Sequence, residues 1–218
     1  MKENLKGWLK YIIILIVIFA ILSIVLCFST DQIQIMNKLD YNVALNEDGS
    51  MNVMETWNVY VKNTGTLFKD FYNINKYPIS DISVKNLKSN ENLEDLGYEE
   101  YHVPEGKYYA EEIKSNVLEI AFGTGKKKSS GNVKFQISYK IDNVVNSYKD
   151  CQEFYWKFLD STNGMMCKNI TGTITLPKEV SNSENLLVWG HGNINGKIYK
   201  SGTNSKWTCS FPHRKATG

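Results

Sequence analysis

Two acidic residues in the second half of the chain have the neighbours that acid–base chemistry on a sugar requires. Asp150 and Glu153 lie three residues apart, directly before Tyr155 and Trp156. Glycosidases place a pair of carboxylates across a sugar ring. Residues three apart on a strand face opposite sides of the sheet, however, so this spacing alone does not bring the two carboxylates together. Asp150 is better suited to capping its loop by hydrogen bonds to backbone N–H groups.

Glu55 is a candidate because it stands where an apolar residue is expected. The alternation of Val53, Glu55 and Trp57 predicts that all three side chains face the interior. A carboxylate held there can have a raised pKa and act as an acid or a base. The alternative is a structural role, in which Glu55 accepts hydrogen bonds from a neighbouring strand or pairs with a lysine. Glu55 and Asp150 are therefore the two candidate functional carboxylates.

Other catalytic and metal-binding motifs are absent from the sequence. The stretch 123–131 is rich in glycine and lysine but lacks the spacing of a phosphate-binding loop, and we predict a basic hairpin tip there. No G-x-S-x-G motif is present. Cys167, His191, Cys209 and His213 lack the C-x-x-C or H-x-x-x-H pair that anchors most zinc sites. We therefore expect no catalytic residue, no metal ligand and no cofactor, and no enzymatic activity.

The cysteines allow one short disulfide. Cys151 and Cys167 enclose fifteen residues, and a bridge closing a loop of this size would contribute about 3 kcal/mol to stability. In the alternative, both thiols are reduced. Cys209 alternates with Trp207 and Phe211, which is typical of a small core residue.

The apolar stretch from Tyr11 to Phe28 determines on which side of the membrane these residues lie. Its eighteen residues carry no charge, and as a helix they would cross most of a bilayer's hydrocarbon layer of about 30 Å. Three lysines precede the stretch, whereas the first charge after it is Asp31. Lysines at one end of a span favour the cytoplasmic side. We predict a single-pass protein of the cell membrane, with a cytoplasmic N-terminus and an extracytoplasmic main domain.

Two alternatives to a permanent anchor remain open. A cleaved signal peptide also has a basic start and an apolar centre, and Ser29 marks the best cleavage position. A lipoprotein would be acylated at Cys27, although Leu26 stands where a small residue is expected. In each case residues 1–30 form the membrane-targeting segment, and 31–212 form the outer domain.

From Lys38 onwards the apolar residues recur with the period of half-buried strands. The clearest alternation runs from Val133 to Ile141 and predicts a central strand with one solvated face. The polar stretch 88–107 is expected to be a surface excursion. Many short strands joined by Gly- and Asn-rich turns predict an all-β fold, an antiparallel β-sandwich of immunoglobulin-like or jelly-roll-like type, preceded by one N-terminal transmembrane helix. Residues 213–218 would be a tail, and a truncated one if the chain is a fragment.

The charge of the outer domain excludes some partners. Three of the 25 basic and one of the 23 acidic residues precede the apolar stretch, which leaves 22 of each sign from Asp31 onwards. A neutral domain has no general attraction for nucleic acid or for an anionic membrane face. Thirteen Tyr, nine Phe and five Trp supply large side chains suited to a pleated sheet.

Several short motifs, in their order and spacing, resemble a known family. They are Leu39-Asp40-Tyr41-Asn42-Val43, Asp48-Gly49-Ser50 with Val53 and Glu55, Tyr139-Lys140-Ile141-Asp142-Asn143-Val144-Val145, Phe154-Tyr155-Trp156-Lys157 and Ile174-Thr175-Leu176-Pro177. Over about residues 33–200 the chain is similar to the domain of unknown function 2207, a family of bacterial predicted membrane proteins. The resemblance implies an extracytoplasmic β-sandwich behind a signal or anchor, and it implies no catalytic residues. Members typically continue into further membrane spans.

Three functions follow as hypotheses. In the first, the domain is a binding or interaction module at the outer face of the membrane, recognising another protein or a cell-wall component. In the second, it is a cell-wall glycan-processing enzyme that uses carboxylates such as Glu55 or Asp150. In the third, it is a structural or sensory outer domain of a larger multi-span membrane protein. A cleft holding two convergent carboxylates would favour the enzyme, and a filled sandwich with scattered carboxylates would favour the module.

Overall fold

A computed structural model describes most of the outer domain and part of the apolar stretch. The described residues are 8, 11–20, 32–125, 129–158, 165–180, 182–190, 196–201 and 204–210. Residues 11–20 are helical. No helix among the described residues has the length and hydrophobicity needed to cross a bilayer. Phe28, at the end of the predicted span, and the tail 213–218 lie outside the described residues.

The domain is built from β-strands, as the alternation of its apolar residues predicts. The strands are β1 (Ile33–Leu45), β2 (Met51–Thr64), β3 (Thr66–Tyr72), β4 (Ile79–Asn86), β5 (Glu91–Asn92), β6 (Glu94–Asp95), β7 (Lys107–Lys114), β8 (Val117–Gly123), β9 (Ser129–Ile141), β10 (Val145–Ser147), β11 (Gln152–Phe154), β12 (Met166–Cys167), β13 (Asn169–Thr175), β14 (Lys197–Ser201) and β15 (Asn204–Ser210).

Nine strands form the larger sheet, in the order β14-β15-β13-β1-β2-β9-β4-β5, with β12 also pairing β1. β1 and β2 form a hairpin, whose turn contains Gly49 at a φ of 81°. β9 lies between β2 and β4, so the strand containing 133–141 is central, as expected. On its other side β1 pairs in parallel with β12 and β13. The sheet is therefore mixed, and the prediction of antiparallel pairing throughout is wrong, because alternation identifies the buried face of a strand but not the direction of its neighbour.

Four strands form the smaller sheet, in the order β3-β8-β7-β6, and β10 and β11 form a separate hairpin. The two main sheets face each other across a single apolar core. Aromatic rings from both sheets meet there: Phe122 of the four-stranded sheet lies 5.6 Å from Trp57 and 5.0 Å from Phe135, centroid to centroid. Phe71 lies 4.9 Å from Tyr139 in the same way. The strands thus pack as two layers around a shared core.

The polar stretch 88–107 is less peripheral than its composition suggests. Leu93 joins the main core, and Val103 is buried in a second, small apolar cluster with Tyr109 and Ala121. Pro104 lies so close to Gly123 that a Cβ on Gly123 would stand 2.0 Å from the Pro104 carbonyl oxygen. Glycine is therefore required at position 123, and the excursion is anchored to the four-stranded sheet at several points.

Candidate functional site

Glu55 lies on the core side of β2, as the alternation predicts. Its neighbours Val53 and Trp57 on the same face are buried, and Glu55 itself has no exposed surface. The adjacent strands place Tyr41 of β1 and Ile137 of β9 directly opposite it. The carboxylate therefore lies between the two sheets, where an ionised group is costly unless it finds partners.

Three donors from three strands converge on Glu55. Lys69 of β3 places its ammonium nitrogen 2.9 Å from Oε1. The hydroxyl of Tyr139 donates a short hydrogen bond to the same oxygen, and the indole N–H of Trp57 donates to Oε2 at 2.7 Å. Lys69 stands between the buried residues Leu67 and Phe71, so it faces inward from the four-stranded sheet. The ion pair thus connects the two layers of the sandwich.

The surroundings of Glu55 keep the nearby phenols protonated. Burial, followed by the charge of Glu55, holds the pKa of Tyr139 and of Tyr41 well above the ordinary tyrosine value. The Lys69 ammonium also lies 4.7 Å from the ring centroid of Phe71 and 5.8 Å from that of Tyr139. Since the donors occupy both carboxylate oxygens and aromatic rings enclose the group, the site has no room for a substrate. Its geometry suits a structural polar contact inside the core.

Asp150 occupies a different environment. It lies in the exposed loop that joins β10 to β11. Glu153 of β11 is also exposed and accepts a hydrogen bond of 3.2 Å from the hydroxyl of Tyr148. Among the described residues, no hydrogen bond or ion pair joins Asp150 to Glu55. The structure therefore does not bring the two candidate carboxylates together.

The two cysteines of the predicted loop are not bonded to each other in the structure. Cys151 is an exposed thiol in the β10–β11 turn. Partial desolvation, with the charge of Asp150 adding to it, raises the pKa of Cys151. Cys167 lies in β12 and approaches the carbonyl oxygen of Asn169 at 3.4 Å. Within the described part of the chain, no group of three or more His, Cys, Asp or Glu side chains is arranged to hold a metal ion.

The solvent-facing side of the nine-stranded sheet holds a site that the sequence analysis missed. We call the outward residues of β13, β1, β2, β9 and β4 the polar face. Two adjacent cross-strand rows at its centre consist of Thr173, Asn42, Met54, Ser138 and Ser83, and of Thr171, Asp40, Thr56, Gln136 and Lys85. Only Asp40 and Lys85 in these rows are charged, and Asp40 pairs with Lys38 at 2.8 Å.

A shallow depression of about 330 Å³ lies on the polar face, lined by Asn42, Asn52, Met54, Asp81 and Ser138 among others. Met54 is 41% exposed and stands between Asn42 and Ser138 in the register. Asp81 has a φ of 54° and lies where the pairing of β4 with β9 shifts register. This bulge places Asp81 at the edge of the depression. The signal was present in the sequence, because the outward positions of β1, β2 and β9 hold amides and hydroxyls.

Comparisons with known proteins add little about activity. No curated protein matches the chain. One similar solved structure is a candidate protease from Parabacteroides distasonis, 12% identical, with a TM-score of 0.41, covering 84% of this chain and 37% of that one. Another is the M1 zinc metallopeptidase from Deinococcus radiodurans bound to a Tyr-Ser-Ala substrate, 7% identical, with a TM-score of 0.40, covering 81% and 39%. The chain thus spans less than half of the length of either protein.

The family comparison is more informative. The model of the DUF2207 N-terminal domain, described as a predicted membrane protein, matches residues 36–217. This range includes every strand from β2 to β15 and most of β1. It also includes the motifs on which the resemblance was based. The chain therefore belongs to the DUF2207 family of predicted membrane proteins, and its β-rich domain is the family's N-terminal domain.

Proposed function

We propose that this chain is a binding module held at the outer face of the cell membrane, and that it binds uncharged glycan of the cell wall through the polar face. The observation that carries the proposal is the depression flanked by Asn42, Met54 and Ser138 on the polar face, whose two central rows carry no charged residues other than Asp40 and Lys85. Residues 11–28 would insert in the bilayer, with the lysines before them in the cytoplasm. Membership of a family of predicted membrane proteins supports this location.

The chemistry of the polar face favours a polyhydroxylated ligand. Asparagine and glutamine amides and serine and threonine hydroxyls both donate and accept hydrogen bonds, as sugar hydroxyls do. The exposed thioether of Met54, with Ala44 beside it, offers a small apolar surface for the C–H groups of a sugar ring. A polyanion would need more positive charge than these rows carry. A protein partner would need a larger apolar centre.

The enzyme hypothesis receives less support from the carboxylates. Glu55 is enclosed in the core and already holds three donors. Asp150 is exposed on a loop, without a second carboxylate converging on it from the core. Two separated carboxylates, one enclosed in the core and one on a loop, are expected of a binding module and not of an enzyme with a catalytic cleft.

Co-sedimentation with purified peptidoglycan sacculi tests the proposal. The full chain in detergent would be mixed with sacculi stripped of protein, with or without their covalently attached anionic polymers. We expect binding to both preparations. The double variant Asn42→Ala/Ser138→Ala should bind about tenfold more weakly, because two hydrogen bonds of about 0.7 kcal/mol each are lost. Asn58→Ala, an amide on the same face and strand as Met54 but two rows away, is the matched control and should bind as the wild type does.

Two results would contradict this assignment. If neither preparation pulls down the chain, the polar face does not bind glycan. If binding disappears when the anionic polymers are removed, the ligand is a polyanion and the chemical class proposed for it is wrong.

A further inference from the structure

The outer side of the four-stranded sheet carries three carboxylates in a row. Asp70 of β3 lies directly opposite Glu119 of β8, which in turn lies opposite Glu111 of β7. Like charges at opposing positions destabilise a sheet. The sequence separates these residues by up to 49 positions, so only the register of the strands reveals the row.

The hydrogen bonds of this row are incomplete. The hydroxyl of Tyr109 donates to Oε1 of Glu119 at 2.6 Å, and that of Tyr72 donates to Oδ2 of Asp70 at 3.2 Å. Oδ1 of Asp70 is buried and has no hydrogen-bond partner among the residues that the structure describes. Two ionised carboxylates can only accept hydrogen bonds. A proton on Glu119 would provide the missing donor and replace a repulsion with a hydrogen bond.

The other groups around Glu119 do not neutralise it. Tyr109 and Glu111 face it from β7, Asp70 and Tyr72 from β3, and Glu99 from the excursion. Among the described residues, no basic side chain forms an ion pair with any of these carboxylates. Burial raises the pKa of Glu119, the hydrogen bond from Tyr109 opposes this, and the charges of Asp70 and Glu99 raise it further.

The excursion covers this face through contacts at its two ends. We call residues 96–103 the flap. At one end, the Leu96 N–H donates to the Tyr108 carbonyl at 2.8 Å. At the other end, the Val103 N–H donates to the Thr66 hydroxyl at 3.2 Å, and its side chain is buried against Tyr109 and Ala121.

The middle of the flap is held less firmly. Tyr98 is 56% exposed and Tyr101 is 83% exposed. Glu99 lies in this middle part, so its charge is close to the carboxylate row on the sheet beneath.

We propose that Glu119 is a pH-sensitive latch: in its protonated form it donates a hydrogen bond to Asp70 and holds the flap closed on the four-stranded sheet, and loss of the proton releases the middle of the flap. Opening the flap exposes Glu119 to water and moves Glu99 away, so the open form binds the proton less tightly. Closure is therefore favoured as the pH falls and is lost as the pH rises through the titration of the closed form. The latch does not depend on the proposed glycan site, which lies on the opposite layer.

Hydrogen exchange of the full chain in detergent, measured at about pH 5 and about pH 7.5, tests the latch. After correction for the intrinsic pH dependence of amide exchange, the wild type should show several-fold greater protection of residues 97–102 at the lower pH. In Glu119→Gln an uncharged amide donates to Asp70 at every pH, so protection should be high and equal at both values. Glu91→Gln, which removes an exposed carboxylate outside the row, is the control and should keep the pH dependence of the wild type.

Equal protection of the wild type at the two pH values would overturn the latch, as would a pH dependence that persists in Glu119→Gln. Asp70→Asn provides an independent second variant, with the same expectation, should Glu119→Gln disturb folding. Circular dichroism at both pH values confirms that each variant retains its sheets.

Discussion

Glu55 and Glu119 are carboxylates in strands of the same sandwich, the first fully buried and the second half-buried, and their partners are opposite in kind. Glu55 lies between the sheets and receives an ammonium, a phenol and an indole N–H. Glu119 lies outside the four-stranded sheet, receives one phenol, and otherwise faces the carboxylates of Asp70, Glu111 and Glu99. The comparison shows that a fully buried carboxylate is accommodated where donors converge on it, whereas burial, together with the like charges beside it, raises the pKa of the half-buried Glu119.

The largest effect is expected when the cation of Lys69 is removed from the core. Lys69→Met keeps the length and apolar stem of the side chain but leaves Glu55 buried without its counter-ion. Removing one partner of a buried ion pair typically costs about 3–5 kcal/mol, and we expect a loss of stability of this size. Urea unfolding followed by tryptophan fluorescence measures it. A loss below about 1 kcal/mol would mean that Glu55 does not need Lys69.

A smaller effect separates charged from neutral acceptors within the core. Tyr139→Phe removes a donor to a carboxylate, whereas Tyr41→Phe removes a donor to the Phe158 carbonyl at 2.5 Å. Hydrogen bonds to charged groups contribute about 1.5–3 kcal/mol, and those between neutral groups about 0.5–1.5 kcal/mol. Tyr139→Phe should therefore be clearly the more destabilising of this matched pair in urea unfolding. Equal losses would argue against an ionised Glu55.

The smallest predicted effect has the opposite sign and lies on the outer row. Glu119→Gln removes a like charge facing Asp70 and Glu111, so at neutral pH it should stabilise the domain by up to about 1 kcal/mol. The pKa of Glu119 is raised in the folded state. Protonated Glu119 therefore contributes to the stability of the domain. This contribution is complete below the ordinary glutamate pKa and is lost as the pH rises through the pKa that Glu119 has in the folded state. Urea midpoints across this range should show the advantage of the variant growing with pH. If the stability advantage of Glu119→Gln over the wild type shrinks as the pH rises, the raised pKa of Glu119 is contradicted.

Alternation of apolar residues was enough to predict the central strand containing 133–141 and the buried position of Glu55. The inward position of Lys69 was also available from the sequence, because Leu67, Lys69 and Phe71 alternate as Val53, Glu55 and Trp57 do. That these two side chains meet depends on how the sheets stack, which no local pattern records.

The features that sequence could not provide are those set by long-range pairing. The parallel neighbours of β1 come from segments more than 120 residues further along the chain. The carboxylate row on the four-stranded sheet depends on the register of three strands at once. The depression on the polar face likewise depends on the register of β1, β2 and β9, although the outward amides and hydroxyls were readable one strand at a time.

The central claim is that binding takes place on the polar face, whereas Glu55 is a structural group of the core and Glu119 controls the flap. An NMR titration of the labelled chain in detergent with soluble oligomers of N-acetylglucosamine, the uncharged sugar of the cell-wall glycan, tests it most directly. The account predicts chemical-shift changes at the amides of Asn42, Met54 and Ser138 and at their neighbours in β1, β2 and β9, with the amides around Glu55 and the flap unchanged. Changes confined to the Asp150 loop or to the flap, or no change at oligomer concentrations on the order of millimolar, would contradict it.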